Sequence, residues 1–319
     1  MIKHSKYRKN SGAALLAVLI VSVVMVILLG VATTTLNSRL ALADQSKQML
    51  HDLAQVYAKE NQLTYLIATQ RVTEAGLSQG TEPQGLLSDD EGHWLYRVIG
   101  DEIRADGETI KQEDGLSFSL QNEAGLIPIN SSTQYWLKRY LRDTGYDAVQ
   151  QSYLGDILAD YADADNWRRP AGAERSSYKG RLFQEPANFL LQSCTELRKL
   201  MRWDELLQRA PQFLTFCSLS RSETINLNAM PIALWELFWP NSAKKVESLR
   251  DQGRWLTSVS DMFAVEPSLS VEIDDYFSRL GGSQFIVLVK KGAVSSNLKV
   301  ERGRGSVAPY TIRRYAEKP

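Results

Sequence analysis

From Asn10 to Asn37 the chain carries no charged side chain, whereas Lys3, Lys6, Arg8 and Lys9 stand just before this run and the next charge is Arg39. The apolar core of the run, Ala13 to Ala32, would cross a bilayer interior of roughly 30 Å as one helix rising about 1.5 Å per residue. A secretory signal has a shorter apolar region, roughly 7–15 residues, ending at a small-x-small cleavage site. The stretch "GVATTTL" offers such a site, so removal stays open beside retention as an anchor. In either case the cationic leader is expected in the cytoplasm and the chain after Arg39 across the membrane.

A third fate is written at Gly12, on the border between leader and apolar run. Cutting after Gly12 removes the charges, keeps the helix and leaves Ala13 as the new N-terminus. "RKNSG" followed by "AALLAVLIV" resembles the class III signal of type IV pilins and pseudopilins, which prepilin peptidase, a membrane aspartic protease, cuts after the glycine and usually methylates. Major pilins carry a glutamate at the fifth mature position. Here that position is Ala17, and one pseudopilin class characteristically lacks the acid.

The remaining sequence is long enough for two domains, and its 37 cationic and 37 acidic side chains balance, so no global field draws nucleic acid. Cys194 and Cys217 are the only cysteines. Beyond the membrane they would meet an oxidising compartment, where two thiols tend to pair; two buried free thiols are the other reading.

After the membrane run, "LALADQSKQMLHDLAQVYAKENQLTYLIATQRV" holds Leu40, Met49, Leu53, Val56, Tyr57 and Leu63 at helical spacing with no Gly or Pro. The spacing predicts one long helix, half membrane span and half stalk, over 13–74. Residues 75–90 read as a loop. Strands are expected in "HWLYRVIG", "EIRADGETIKQEDG" and "LSFSLQNEAG", and again in "QFIVLVKKG", "SSNLKVERGRG" and "APYTIRRY". Between them the pattern is mostly helical. The fold class read from this order is α+β: leader 1–12, membrane and stalk helix 13–74, a pilin-like antiparallel sheet from 75–122 and 283–319, and a large all-α domain, 123–282, inserted into it.

"LADYADADNWRRPAGAE" (158–174) places Asp160, Asp163 and Asp165 within six residues, with Glu174 beyond a Pro- and Gly-containing turn. Close carboxylates are tolerated when solvated, paired with cations or bound to a hard metal. Arg168, Arg169 and Arg175 could pair them; calcium is the metal alternative, although the spacing is not that of an EF-hand. This stretch resembles the "LLDWIDxDxxPxPxGAE" signature of type II secretion system protein K. "SFSLQNEAGLIPIN" and "TINLNAMPIALWELFW" are similar to two further stretches of that family, in the same order. The resemblance implies a minor pseudopilin with a pilin fold, a large helical insertion and bound calcium, for which the matching ligand candidates are Asp160, Asp163, Asp165 and Glu174. It also implies a single-pass protein of the inner membrane with its bulk in the periplasm. Its implied partners are the minor pseudopilins I and J, with H and the major pseudopilin G.

Residues 224–262 also resemble a helix-hairpin-helix unit, with Asn226 and Asn228 as turn and N-cap candidates and Thr257 or Ser258 as a later cap. Such units cradle phosphate on backbone amides of a glycine-rich hairpin. This chain has "WPNSAKK" there, so a membrane-tethered DNA receptor is the minor reading, beside a minor pilin of a type IV pilus. His4, His51 and His93 lack ligand spacing, and no G-x-S-x-G, H-E-x-x-H, P-loop or C-x-x-C occurs, so no catalysis is expected.

Overall fold

The computed structural model describes residues 11–81, 97–179, 185–271, 276–279, 281–305 and 308–314. The chain divides into two compact units, residues 1–55 and 56–319. Helix α1 runs Ser11–Thr69. Within the first unit its large apolar side chains from Leu15 to Leu36 are exposed, and the helix is long and apolar enough to cross a membrane. The hydroxyls in this stretch answer themselves: Ser22 donates to the Val18 carbonyl and Thr33 to that of Leu29, each at 2.8 Å. A hydroxyl satisfied within its own helix is tolerated in hydrocarbon.

The second unit begins with the last turns of α1, where Val56, Leu63 and Ile67 are buried. The helix stops at Thr69 rather than at residue 74. Thr73 N–H donates to the Gly76 carbonyl at 2.8 Å and Val72 bridges Leu77, so a tight turn takes the backbone bonds that another helical turn needed. Short strands β1 (Gly76–Leu77), inside the span read as a loop, and β2 (Ile103–Arg104), at the start of the expected stretch "EIRADGETIKQEDG", then pair. The strand expected over 93–100 falls largely outside the described residues, and Arg97–Gly100 are not strand.

The main sheet contains β3 (Asp106–Lys111), β4 (Ser117–Asn122), β9 (Gln284–Lys291), β10 (Val294–Gly305) and β11 (Ala308–Arg314), in the antiparallel order β11-β10-β9-β4-β3. Alternation sorts its faces. Phe118, Leu120, Phe285, Val287, Val289, Leu298 and Val300 are buried on one face. The α1 end lies over that face: Lys59 Nζ sits 4.1 Å from the Phe118 ring centre, and Glu60 accepts from Ser296 Oγ at 2.6 Å and from Arg314.

Strands β4 and β9 are sheet neighbours, with Asn122 opposite Phe285, yet the whole helical part lies between them in sequence. Asn122 closes the neck of this insertion. Its Nδ2 donates to the Gly282 carbonyl at 2.8 Å, and its Oδ1 accepts from Gly282 N–H at 2.9 Å. Gly125 passes so close to the Ala229 carbonyl that any Cβ would collide with it.

The insertion carries β5 (Ile127–Pro128), α2 (Tyr135–Asp143), α3 (Ala148–Ala162), α4 (Arg175–Tyr178), α5 (Trp203–Arg209), α6 (Phe213–Phe216), β6 (Cys217–Ser218), β7 (Ile225–Asn226), α7 (Ile232–Phe238), α8 (Pro240–Asp251), α9 (Val259–Val265) and β8 (Phe277–Ser278). The all-α expectation therefore needs correction: β5 pairs with β6 and β7 with β8, both parallel. Two-residue strands have no periodicity to read. The core holds Trp136, Trp203 and Trp235 fully buried, and each indole N–H reaches a carbonyl, of Glu223, Leu154 and Leu227 respectively.

A buried ion pair joins insertion and sheet. Arg250 on α8 donates to Asp106 at 2.9 Å, both side chains 2% exposed, and also to the Leu227 and Met230 carbonyls. Burial pulls the Arg250 guanidinium down to about 10, against the attraction of Asp106, which leaves it charged at neutral pH. Arg104 adds a second cation to Asp106 at 2.7 Å.

Candidate functional site

Helix α3 starts at a capping box, in which Asp147 accepts from Gln150 N–H and the Gln150 side chain accepts from Asp147 N–H. Its far end carries the acidic residues. Asp156 and Asp160 are one turn apart on one face, and both hold the returning loop: Ala171 N–H donates to Asp156 at 3.1 Å, and Arg169 N–H to Asp160 at 3.1 Å. The Asp160 side chain is fully buried, with the Arg169 guanidinium at 3.4 Å. Gly172 lies against this carboxylate, and a Cβ there would fall on Asp160 Oδ2.

The loop folded in this way brings Asp163, Asp165 and Glu174 together, with one carboxylate oxygen from each within 4.8 Å of the others. Asp160 is not among them; it serves the loop backbone. Glu174 is buried, and neither of its oxygens has a hydrogen-bond partner. Asp163 Oδ1 is likewise buried and unpartnered, while Oδ2 receives Arg169 at 3.1 Å. Asp165 is exposed and accepts from Trp167 N–H at 2.7 Å. Asn188 Nδ2 donates to the Asp165 carbonyl at 2.9 Å and fixes the loop from outside.

Burial pushes the Glu174 carboxyl above its usual range. The negative Asp160, Asp163 and Asp165 push the same way, against the Arg175 backbone N–H, which does not reach hydrogen-bond geometry. Asp163 is also raised, by burial first and by Asp165 second, with Arg169 opposing. Burying polar oxygens without partners costs about 1–3 kcal/mol each, more for charged groups. A hard cation removes that cost, and a set made only of oxygens suits calcium better than zinc or iron. Arg175 is turned to Glu185 at 2.6 Å instead.

Of the processing residues, Gly12 lies in the first turn of α1, and the leader to Asn10 is outside the described residues. Ala13 and Ala17 are exposed on the helix. Cys194 and Cys217 are joined as a disulfide between the start of a 3₁₀ turn and β6.

The helix-hairpin-helix reading needs correction in its details. Asn226 does not cap a helix: its side chain accepts from Asn228 and Ala229 N–H and forms a turn. Asn228 grips Leu256 through both its carbonyl and its N–H. Pro231 stands at the N-cap of α7 without a side-chain bond, whereas Ser258 forms a capping box with Asp261 on α9. Only Trp239 separates α7 from α8. Near the start of α8 the Ser242 and Ala243 amides bond the Trp239 carbonyl, and Lys245 Nζ reaches the Ala264 carbonyl at 2.5 Å. Sequence reasoning missed Asp156 and the pairing of Asp106 with Arg250. The spacing of Asp156 one turn before Asp160 was the available signal for the first; no local pattern announces the second.

Residues 115–215 match the family model described as type II secretion system (T2SS), protein K. The matched span runs from just before β4 through the acidic loop into α6. No curated protein matches the chain significantly. Among solved structures, a chain in the crystal structure of the GspK-GspI-GspJ complex from the enterotoxigenic Escherichia coli type 2 secretion system is similar, with a TM-score of 0.53. The identity is 13%, over 88% of this chain and 100% of that one. At this identity the likeness is one of fold.

Proposed function

We propose that this chain, whose residues 115–215 match the protein K family model of type II secretion, serves as a minor pseudopilin of that system. The observation that carries the reading is the domain match over the acidic loop of an insertion that leaves a pilin-type sheet between β4 and β9, behind a helix of membrane length. The work follows from the parts. The apolar helix holds the protein in the inner membrane and packs among the helices of other subunits. The remainder stands in the periplasm. Cutting after Gly12 exposes Ala13. The apolar Ala17 leaves no buried acid to be neutralised by a preceding subunit, which suits a subunit that begins a filament. Bulk inserted into the sheet blocks addition above it, so one copy at the tip is expected, and its role is mechanical rather than catalytic.

Calcium at Asp163, Asp165 and Glu174 supplies positive charge to three converging carboxylates. The chain's own residues prepare for it: Asp156 and Asp160 fold the loop, Gly172 admits the close approach, and Arg169 takes Asp163 Oδ2 while Oδ1 is left without a hydrogen-bond partner. By likeness to the complex solved from E. coli, minor pseudopilins I and J are the partners.

Co-expression of the full chain with minor pseudopilins I and J tests this reading. Copurification of the three from detergent, with mass spectrometry finding Ala13 at the N-terminus, supports it. A chain that purifies alone and begins at Met1 overturns it, as does one that binds duplex DNA in a gel shift.

A further inference from the structure

The sheet face opposite Phe118 carries Lys299 and Glu301 on β10 and Arg313 on β11. It forms one wall of a cleft of ≈ 440 Å³, whose other wall comes from the insertion around Leu191 and Arg221. That wall is fixed in place. Asn130 Nδ2 donates to the Leu191 and Leu219 carbonyls, each at 3.1 Å, and Asn130 Oδ1 accepts from Leu191 N–H at 3.1 Å. The Cys194–Cys217 disulfide ties the same two segments a few residues away.

At the base of the cleft Lys299 and Glu123 form a buried ion pair at 2.7 Å and cancel one another. Arg221 and Arg313 remain exposed, with Glu301 as the opposing charge, so the free lining has two positive groups against one negative. Neither arginine is needed for the fold: both are exposed, and the insertion and sheet are already joined through Arg250 and Asn122. Preorganised walls, enough volume for a short peptide stretch and uncompensated guanidinium groups form a receptor for carboxylates. Glu301 disfavours a compact anion of high charge density such as phosphate, whereas carboxylates spaced along a chain can straddle it.

We infer that this cleft takes an acidic peptide segment of another protein, its carboxylates pairing with Arg221 and Arg313. None of the residues lining the cleft belongs to the acidic loop or to α1.

The test is fluorescence anisotropy of a dye-labelled hexaglutamate peptide titrated with the full chain in detergent. Binding is expected, weakening with salt. Arg221→Gln and Arg313→Gln should each weaken it about fivefold, the scale of one exposed charge contact. Glu301→Gln should tighten it, and Arg168→Gln, an exposed arginine elsewhere, should leave it unchanged. Far-UV circular dichroism checks that each variant is folded. Absence of binding, an equal loss in Arg168→Gln, or weakening by Glu301→Gln overturns the assignment. So does complete displacement by inorganic phosphate at the peptide's own concentration, which marks a small-anion site instead.

Discussion

Asp106 and Glu174 are both buried carboxylates of the same compact unit, and the chain treats them differently. Asp106 receives two arginines, one of them as buried as itself. Glu174 receives no hydrogen bond at either oxygen and faces two further acids. The first arrangement is complete: it fixes the insertion to the sheet and needs nothing from outside. The second is folded with equal care, through Asp156, Asp160 and Gly172, but Arg169 answers only one Asp163 oxygen, and neither oxygen of Glu174 has a partner. A buried group left unpaired at such cost needs a partner, and a calcium ion is the one proposed above.

The contrast breaks most readily at Asp106. Asp106→Ala leaves Arg250 charged and buried with only carbonyls to meet it, and the expected loss is roughly 3–5 kcal/mol. Equilibrium unfolding of the detergent-solubilised chain measures it, and calcium should not restore it. A loss below about 1 kcal/mol would show that the junction does not depend on the pair.

The disulfide is complete in another sense, because its constraint is covalent. Cys194 and Cys217 are 23 residues apart, and replacing both with Ser should cost about 3 kcal/mol through the freer unfolded chain. The loss should be the same with calcium or chelator. A loss seen only with chelator would mean that the crosslink acts by shaping the acidic loop.

Glu223 sharpens the contrast through pH. Although burial pushes its carboxyl up, hydrogen bonds from Ser131, Thr133 and Ser132 outweigh this and hold it at about 2, against an ordinary 4.5. A folded value below the unfolded one means stability that is fully present above pH 4.5 and lost as pH falls toward 2. Glu223→Gln should flatten that part of the acid limb. An acid limb with unchanged slope would show that the Ser131–Thr133 loop contributes nothing through this group.

Much of this architecture is legible in the sequence, because its signals are periodic. The apolar run gives α1, and alternation places β9, β10 and β11 within a residue and β4 within three. The end of α1 was less legible, since a turn closed by Thr73 and Gly76 decides it through backbone bonds. The parallel pairs β5–β6 and β7–β8 left no pattern, because two residues do not alternate. In the acidic loop, composition pointed to Asp160, Asp163, Asp165 and Glu174 alike. Only the fold separates Asp160, which holds Arg169 N–H, from the three that converge. For Asn226 the sequence left turn and cap open, since Asn favours both, and the chain uses it in a turn.

The most direct measurement is thermal unfolding of the full chain in detergent, with millimolar calcium and with chelator, for the native sequence and for Glu174→Gln. Binding to the folded state alone raises stability by about 1.4 kcal/mol at ten times the dissociation constant and about 2.7 at a hundred times. The account predicts a higher melting temperature with calcium for the native chain and little or no shift for Glu174→Gln, with both folded. No calcium shift in the native chain, or the same shift in the variant, would contradict it.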